Sequence, residues 1–326
     1  MLRLIGPAIL AYFLATTDIG SIISNLRGLR WAPFLLSLAL YPLLVAVKAW
    51  RWNLVLSDLG LEAPPLGHSI RLYMIGMFLS GTTPGQSGDF VKAWYLRDRG
   101  LPLAASLFSV LVDRLLDFLV MALLSLVGLV AFVHLFPPQA RGAIEIATIG
   151  FAVAIALVTS ALMDRRSRNW LMSRAVRLVL GKMGGRIERW RNQFATLDIR
   201  PGLVAGLFAG TLCATTVTMV RLWLLFQAME APIPLVALVT SMALISNLQS
   251  LPISFSGVGV RDAVLIPVLA HYGYGAEKAL ALSALVLLLN IENILLGYLV
   301  SLRHPLGPGT SANPTTLLSR PDSGLT

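Results

Sequence analysis

The 326-residue sequence has few charged residues and a single cysteine. Charged side chains make up 13% of the chain and hydrophobic ones 56%, proportions that exclude an ordinary soluble domain of this length. The lone Cys213 excludes an internal disulfide framework and a cysteine-rich metal site, and its apolar neighbours predict a buried, unreactive thiol. We therefore expect a chain embedded in a membrane.

Motifs for nucleotides, metals and catalysis are missing too. No Gly-x-x-x-x-Gly-Lys pattern occurs, so no nucleotide cofactor is expected. His134 and His271 stand alone in the sequence, and no metal site is predicted. Asp113 and Asp117 offer carboxylates for general base chemistry, but no histidine lies near them in sequence. We expect a protein that is not an enzyme and that needs no cofactor.

Long apolar runs dominate what is present. Windows without Asp, Glu, Lys or Arg cover residues 31–47, 118–140, 146–163, 202–220 and 231–260. A helical membrane span needs about 20 such residues. Alternation typical of strands is absent, so the spans are predicted to be helices and not the strands of a β-barrel. The shorter run 4–16 is interpreted as a first span, since no convincing cleavage site for a signal peptide closes it.

Positive charge is concentrated in one segment. Residues 164–200 contain ten Lys or Arg and three acidic residues, and they separate two apolar runs. The positive-inside rule places this segment in the cytoplasm. Its apolar residues recur at helical spacing, which predicts an amphipathic helix on the anionic inner leaflet. Nucleic-acid binding is not expected of a basic run between membrane spans.

Two apolar segments are broken by Pro and Gly and then carry charge. They are LSGTTPGQSGD at 79–89 and LPISFSGVGVRD at 251–262. Broken helices expose backbone N–H groups that can bind an anion, and in membrane proteins they indicate a substrate site. The residues assigned to these breaks are Pro84, Gly85, Gly88, Pro252, Gly257 and Gly259. Simple chain reversal is the alternative role for the glycines.

Charge placement predicts the topology. Basic loops on both sides of the first break put its two ends in the cytoplasm, so the segment enters the membrane and returns. The second break then enters from the opposite face. The sequence predicts an all-α, polytopic bundle of about six spans and two re-entrant helical hairpins of opposite orientation, an inverted arrangement found in secondary transporters. Eight full crossings joined by tight turns remain the alternative.

Charged residues near the breaks form the candidate binding site. Asp113 and Asp117 are four residues apart and share one face of a long apolar helix, with Arg114 beside them. Unpaired charges there cost about 2.5 to 3.5 kcal/mol each, so they need partners or water. The residues predicted to bind a lipid headgroup are Asp89, Lys92, Asp113, Arg114, Asp117, Arg261 and Asp262. An internal ion-pair cluster that locks the helices together is an equal alternative, and the two are compatible.

Four motifs in order resemble a known family. They are KAWRWN at 48–53, PGQSGDFVK at 84–92, SVLVDRLLD at 109–117 and PISFSGVGVRD at 252–262. Together they resemble the transmembrane, flippase-like domain of lysylphosphatidylglycerol synthases and its stand-alone UPF0104-type relatives. The resemblance implies a flippase-like domain over residues 1–303, followed by a disordered tail over 304–326. Synthases of this family carry an aminoacyltransferase domain after the membrane part, and the tail 304–326 is too short to be expected to fold into one, so synthase activity is not implied. The family usually has Arg or Lys where Gln86 stands and often has Glu at Asp89 and Asp262, which leaves a phosphate contact at position 86 in doubt.

Residues and resemblance together predict a protein of the inner membrane that binds an amphiphilic lipid and translocates it between leaflets. The candidate lipids are a phospholipid, an aminoacyl-lipid, a glycolipid and a hopanoid-type lipid. The expected partners are membrane lipids and enzymes of lipid or glycolipid biosynthesis, and an oligomer is compatible with the sequence. The main alternative is a non-catalytic scaffold for such an enzyme, and a membrane-embedded transferase is the least favoured.

Overall fold

A computed structural model describes residues 24, 27–163, 170, 200–250 and 259–303. This part of the chain is helical and contains no strand. Its helices are α1 (Trp31–Ala39), α2 (Tyr41–Asp58), α3 (Leu66–Thr82), α4 (Val91–Asp98), α5 (Leu103–Phe132), α6 (Pro138–Met163), α7 (Pro201–Ala228), α8 (Leu235–Ser250), α9 (Val260–His271) and α10 (Ala276–Arg303). Short 3-10 helices cover Pro84–Phe90 and Val133–Leu135.

Five stretches of these helices are long and apolar enough to cross a membrane. They are Trp31–Asp58, Leu103–Leu135, Pro138–Ser160, Gly202–Ala228 and Ala276–Arg303. The predicted polytopic helical bundle is therefore confirmed. The predicted first span over 4–16 lies outside the described residues. The prediction of a buried thiol is wrong, because Cys213 is exposed on α7.

The first break forms a helical hairpin. The 3-10 turn Pro84–Phe90 joins α3 to α4, and it packs against α3. Gly88 is required there, because a Cβ at this position would collide with the backbone of Leu79. Leu61, just before α3, and Leu101, just after α4, pack against the same hydrophobic cluster. Both ends of the hairpin therefore lie on one side of the molecule.

The helices on the two sides of the second break also form a pair. Helices α8 and α9 pack against each other, and α9 begins after Gly259, whose φ of 82° favours glycine. The loops that flank this pair meet: the Tyr274 hydroxyl donates to the carbonyl of Pro232 at 3.0 Å, and Lys278 donates to the carbonyl of Glu230 at 3.0 Å. The chain thus enters and leaves this hairpin at one end. The connection 251–258, with Pro252 and Gly257, lies outside the described residues.

The two hairpins open toward opposite ends of α5. This helix begins at Leu103, beside the ends of the first hairpin. It has 30 residues, a length of about 45 Å at 1.5 Å per residue. Just beyond its far end, His134 contacts His271, the last residue of α9, with the ring centroids 6.3 Å apart. The predicted opposite orientation of the hairpins is therefore present in the fold.

Each hairpin packs against the helix that follows the other hairpin, an arrangement that we call exchanged packing. Helix α5 follows the first hairpin and packs most extensively on α8 of the second, whereas α10 follows the second hairpin and packs on α3 of the first. Each contact is a close approach at a glycine. A Cβ on Gly128 of α5 would lie 2.9 Å from the carbonyl carbon of Thr240, and a Cβ on Gly297 of α10 would collide with the backbone of Met74. The same packing device occurs once in each half, as an inverted repeat requires.

Two further predictions fall on segments outside the described residues. Almost all of the basic segment 164–200 is one, so its amphipathic helix stays a prediction. The tail 304–326 is the other. The fold of the described residues places α2, α5 and the two helices of the first hairpin, α3 and α4, around the predicted site.

Candidate functional site

A buried arginine occupies the centre of the charged site. Arg51 on α2 is fully buried. Its Nε and Nη2 donate to Oδ1 of Asp113 at 2.9 and 2.6 Å, and Nη2 also donates to the Asp113 carbonyl at 3.0 Å. Nη1 donates to Asp117 at 2.5 Å and to the Thr211 hydroxyl at 2.8 Å. All five N–H groups of the guanidinium are used, and they join α2, α5 and α7.

Lys48 and Asp117 form a partly exposed side of the charged cluster. Lys48 lies one turn before Arg51, and its Nζ is 2.5 Å from Oδ2 of Asp117. Both oxygens of Asp117 are therefore occupied, one by Arg51 and one by Lys48. The Lys48 side chain is 18% exposed and that of Asp117 is 22% exposed, whereas Arg51 and Asp113 are inaccessible. Lys48 is thus the cation of this cluster that lies closest to a ligand-accessible space.

The first hairpin contributes the other half of the cluster. Oδ2 of Asp89 lies 2.9 Å from Nζ of Lys92 and 2.8 Å from Nε of Arg114. Nη2 of Arg114 donates to the Ser80 hydroxyl at 2.5 Å, which ties α5 to α3. The Lys92 ammonium is at ion-pair distance from Asp89, but it makes no hydrogen bond of good geometry with that oxygen. Its attraction to Asp89 is therefore mainly that of a point charge.

Aromatic rings complete the environment of Lys92. Its Nζ lies 3.7 Å from the centroid of the Tyr73 ring and 5.2 Å from that of Trp52. The Tyr73 hydroxyl donates to Oδ2 of Asp113 at 2.7 Å, and Lys92 lies 3.5 Å from the same oxygen. A desolvated ammonium over an aromatic face is stabilised by the ring quadrupole. Tyr73 thus links the two halves of the cluster through its ring and its hydroxyl.

Gly76 on α3 makes room for this arrangement. A Cβ at Gly76 would lie 2.5 Å from Oδ1 of Asp89 and 3.3 Å from two carbons of Lys92. The hairpin can therefore bring Asp89 and Lys92 close to α3 only because position 76 has no side chain.

A cavity of about 250 Å³ lies between the two halves of the molecule, the helices before residue 164 and those after residue 200. Helices α2, α3, α5, α7, α8 and α10 all contribute to its wall. The polar residues that line it are Lys48, Asp117, Thr215, Thr218, Arg221, Ser246, Gln249, Asn290 and Asn293. Apolar residues, among them Met77, Met121, Met242 and Leu289, line the rest. A mixed polar and apolar cavity among membrane helices fits an amphiphilic ligand.

A second ion pair lies at this cavity. Arg221 on α7 is 3% exposed, and its Nη2 pairs with Glu292 on α10. Its Nε donates to the carbonyl of Ser37 at 2.8 Å, and its guanidinium carbon lies 5.5 Å from the ring centroid of Tyr41. Arg221 therefore joins α1, α7 and α10. Sequence reasoning identified neither Arg221 nor Glu292 as a site residue.

The second hairpin holds its charged residues apart from the first cluster. Nε of Arg261 donates to the Ser283 hydroxyl at 2.7 Å, and Asp262 accepts from the Gly259 N–H at 3.0 Å, which caps the start of α9. Among the described residues, no polar contact joins either of them to Asp89, Asp113 or Asp117.

The structure thus brings together five of the seven predicted binding residues: Asp89, Lys92, Asp113, Arg114 and Asp117. Sequence reasoning missed Lys48, Arg51 and Tyr73 as members of the site. A signal for Arg51 was present, because Lys48 and Arg51 are three residues apart and share a helix face. Among the described residues, no group of three or more His, Cys, Asp or Glu could hold a metal ion.

Comparisons with known proteins agree with this architecture. Residues 3–297 match the family model of the lysylphosphatidylglycerol synthase transmembrane region. The chain is also similar to the UPF0104 membrane protein of Methanothermobacter thermautotrophicus, with 26% identity over 291 residues that cover 81% of each chain.

Proposed function

Because the chain belongs to the family of the lysylphosphatidylglycerol synthase transmembrane region, we propose that it binds an amphiphilic lipid by its headgroup and moves it between the leaflets of the inner membrane. The observation that carries this proposal is the mixed polar and apolar cavity among α2, α3, α5, α7, α8 and α10. Its volume of about 250 Å³ is slightly below the roughly 300 to 1,000 Å³ of pockets that enclose whole drug-sized ligands. A headgroup fits this space while the acyl chains stay in the bilayer.

Lys48 is the proposed contact for the headgroup. It lies on the cavity wall, and its partner Asp117 is also held by Arg51. The Lys48 ammonium has three N–H donors, so it can bind a phosphate while it keeps its contact with Asp117. In this mechanism the buried Arg51–Asp113 pair holds the helices, and the accessible Lys48 binds the ligand.

The two hairpins, which have opposite orientations, each contribute one helix to the wall of the cavity. Helix α3 of the first hairpin contributes Met77, and α8 of the second contributes Gln249. Rocking of one half against the other opens such a site to each face in turn, as in other inverted-repeat transporters. The proposal contains no chemical step and no nucleotide, so net movement is driven by an ion gradient, the membrane potential or downhill lipid flow. It places the basic segment 164–200 in the cytoplasm, and lipid or glycolipid biosynthetic enzymes among the partners.

The test is translocation of fluorescent phospholipids and glycolipids across liposomes that contain the purified protein. Wild type is compared with Lys48→Met, and Lys278→Met is the matched control because Lys278 lies outside the cavity, where it contacts only the carbonyl of Glu230 and the ring of Tyr274 among the described residues. We expect wild type and Lys278→Met to move at least one lipid, and Lys48→Met to lose most of this activity while it stays folded. If no lipid moves faster than in empty liposomes, translocation is wrong and a scaffold for a biosynthetic enzyme becomes the better account.

A further inference from the structure

The charges around the cavity indicate which lipid it takes. We infer that the cavity selects an anionic phospholipid whose headgroup carries hydroxyl groups and no ammonium. The inference rests on the proposed function, since it names the substrate class of the same site.

Charge balance is the first argument. The described cluster contains the cations Lys48, Arg51, Lys92 and Arg114 and the carboxylates Asp89, Asp113 and Asp117. Four cations against three carboxylates leave one formal positive charge in excess. The Arg221–Glu292 pair is neutral and does not change this balance. Excess charge among membrane helices is costly, and one phosphodiester anion at the cavity wall offsets it.

The lack of an available carboxylate is the second argument. Among the described lining residues, Asp117 is the only acidic one, and both of its oxygens are already bound to Lys48 and Arg51. A lipid with an ammonium headgroup would place its cation beside Lys48 and Arg221 with no carboxylate left to pair with it. Like charges brought together cost several kcal/mol, so an aminoacyl headgroup is disfavoured.

The third argument is the chemistry of the neutral wall. The cavity presents the amides of Gln249, Asn290 and Asn293 and the hydroxyl of Thr215. Amide side chains donate and accept hydrogen bonds, as hydroxyl groups do, and so they match a glycerol or sugar headgroup. The buried Oδ1 of Asn293 makes no hydrogen bond within the described part of the chain. A hydroxyl group of a bound headgroup would satisfy it.

The test compares lipids that differ in the headgroup alone. Acyl-labelled phosphatidylglycerol, lysylphosphatidylglycerol and phosphatidylethanolamine are followed across liposomes with wild type and with Asn290→Asp. This substitution keeps the shape of the side chain and adds a carboxylate to the cavity. Gln139→Glu makes the same change of amide to acid at an exposed site at the start of α6 and serves as control.

We expect wild type to move phosphatidylglycerol about tenfold faster than lysylphosphatidylglycerol, and Asn290→Asp to abolish or reverse that preference. Gln139→Glu should keep the preference of wild type. Faster movement of lysylphosphatidylglycerol by wild type would overturn the inference and leave translocation standing.

A binding measurement separates the two claims when nothing moves. Thermal stabilisation of the detergent-solubilised protein is titrated with short-chain phosphatidylglycerol and short-chain lysylphosphatidylglycerol. Tighter binding of phosphatidylglycerol, lost in Asn290→Asp, would support the selectivity although the proposed translocation fails. Equal binding of the two lipids, or no binding of either, would overturn the inference.

Discussion

Arg51 places two N–H groups, Nε and Nη2, on one oxygen of Asp113, at 2.9 and 2.6 Å. Tyr73 donates to the other oxygen of this carboxylate. The pair therefore joins α2 to α5, and through Tyr73 it also holds α3 of the first hairpin. A contact that fixes three helices at once defines the shape of the site as well as its charge.

Loss of this arginine should destabilise the fold. Arg51→Met leaves Asp113 buried without its main partner, and breaking a buried pair from one side costs about 3 to 5 kcal/mol. We expect a lower unfolding midpoint in detergent, partly restored by adding Asp113→Asn. Arg97→Met, which removes an exposed pair with Asp98, should change the free energy of unfolding by less than about 1 kcal/mol. Equal midpoints for Arg51→Met and wild type would contradict the structural role of the pair.

Gly76 should be sensitive to the addition of one methyl group. Gly76→Ala pushes Asp89 and Lys92 away from α3, and overpacking of this kind costs about 1 to 3 kcal/mol. Translocation should fall together with stability, since the hairpin moves. Gly67→Ala on the same helix meets nothing within 4 Å and should behave as wild type in both assays. A Gly76→Ala protein with wild-type stability and transport would show that the close approach is not needed.

The exchanged packing predicts equal effects in the two halves. Gly128→Ala and Gly297→Ala each drive a methyl group into the backbone of a hairpin helix, and both should lower the unfolding midpoint. Gly150→Ala on α6 has open space, and because Ala is a better helix former than Gly we expect it to be neutral or to gain up to about 1 kcal/mol. The prediction fails if either of the first two substitutions is as well tolerated as the third.

Membrane sidedness can be read by thiol labelling. In a Cys213→Ser background, cysteines at Glu62 and Arg99 flank the first hairpin, and cysteines at Pro234 and His271 flank the second. We expect an impermeant reagent to label the first pair from one side of the membrane and the second pair from the other. Labelling of Glu62→Cys and Arg99→Cys from opposite sides would replace the hairpin by two full crossings.

The sequence predicted the hairpins well, because their signals are local. A Pro and several Gly in an apolar run, followed by an acidic residue, define the break at Gly88 and the start of α9 at Gly259. The spacing of Asp113 and Asp117 likewise gave half of the site directly. What the sequence did not give is which distant residues meet these groups.

Arg51 and Arg221 show why. The positive-inside rule accounts for basic residues at the ends of spans, so the position of Arg51 after an apolar run gives no sign of its contact with Asp113. Arg221 directly follows the apolar window 202–220, so its position likewise indicates only the end of a span. The expectation that Arg261 would join the first cluster came from the similarity of the two breaks. Tertiary packing alone determines which distant side chains come into contact, and Arg261 donates to the hydroxyl of Ser283 instead.

The exchanged packing of the two halves has a consequence for biosynthesis. Helix α3 emerges early from the ribosome, but the surface on which it packs belongs to α10, near the end of the chain described. The first hairpin, with Asp89 and Lys92 already on it, therefore reaches its final packing only after α10 has been made. During this interval the insertion machinery or lipid covers the surface of α3 on which α10 later packs.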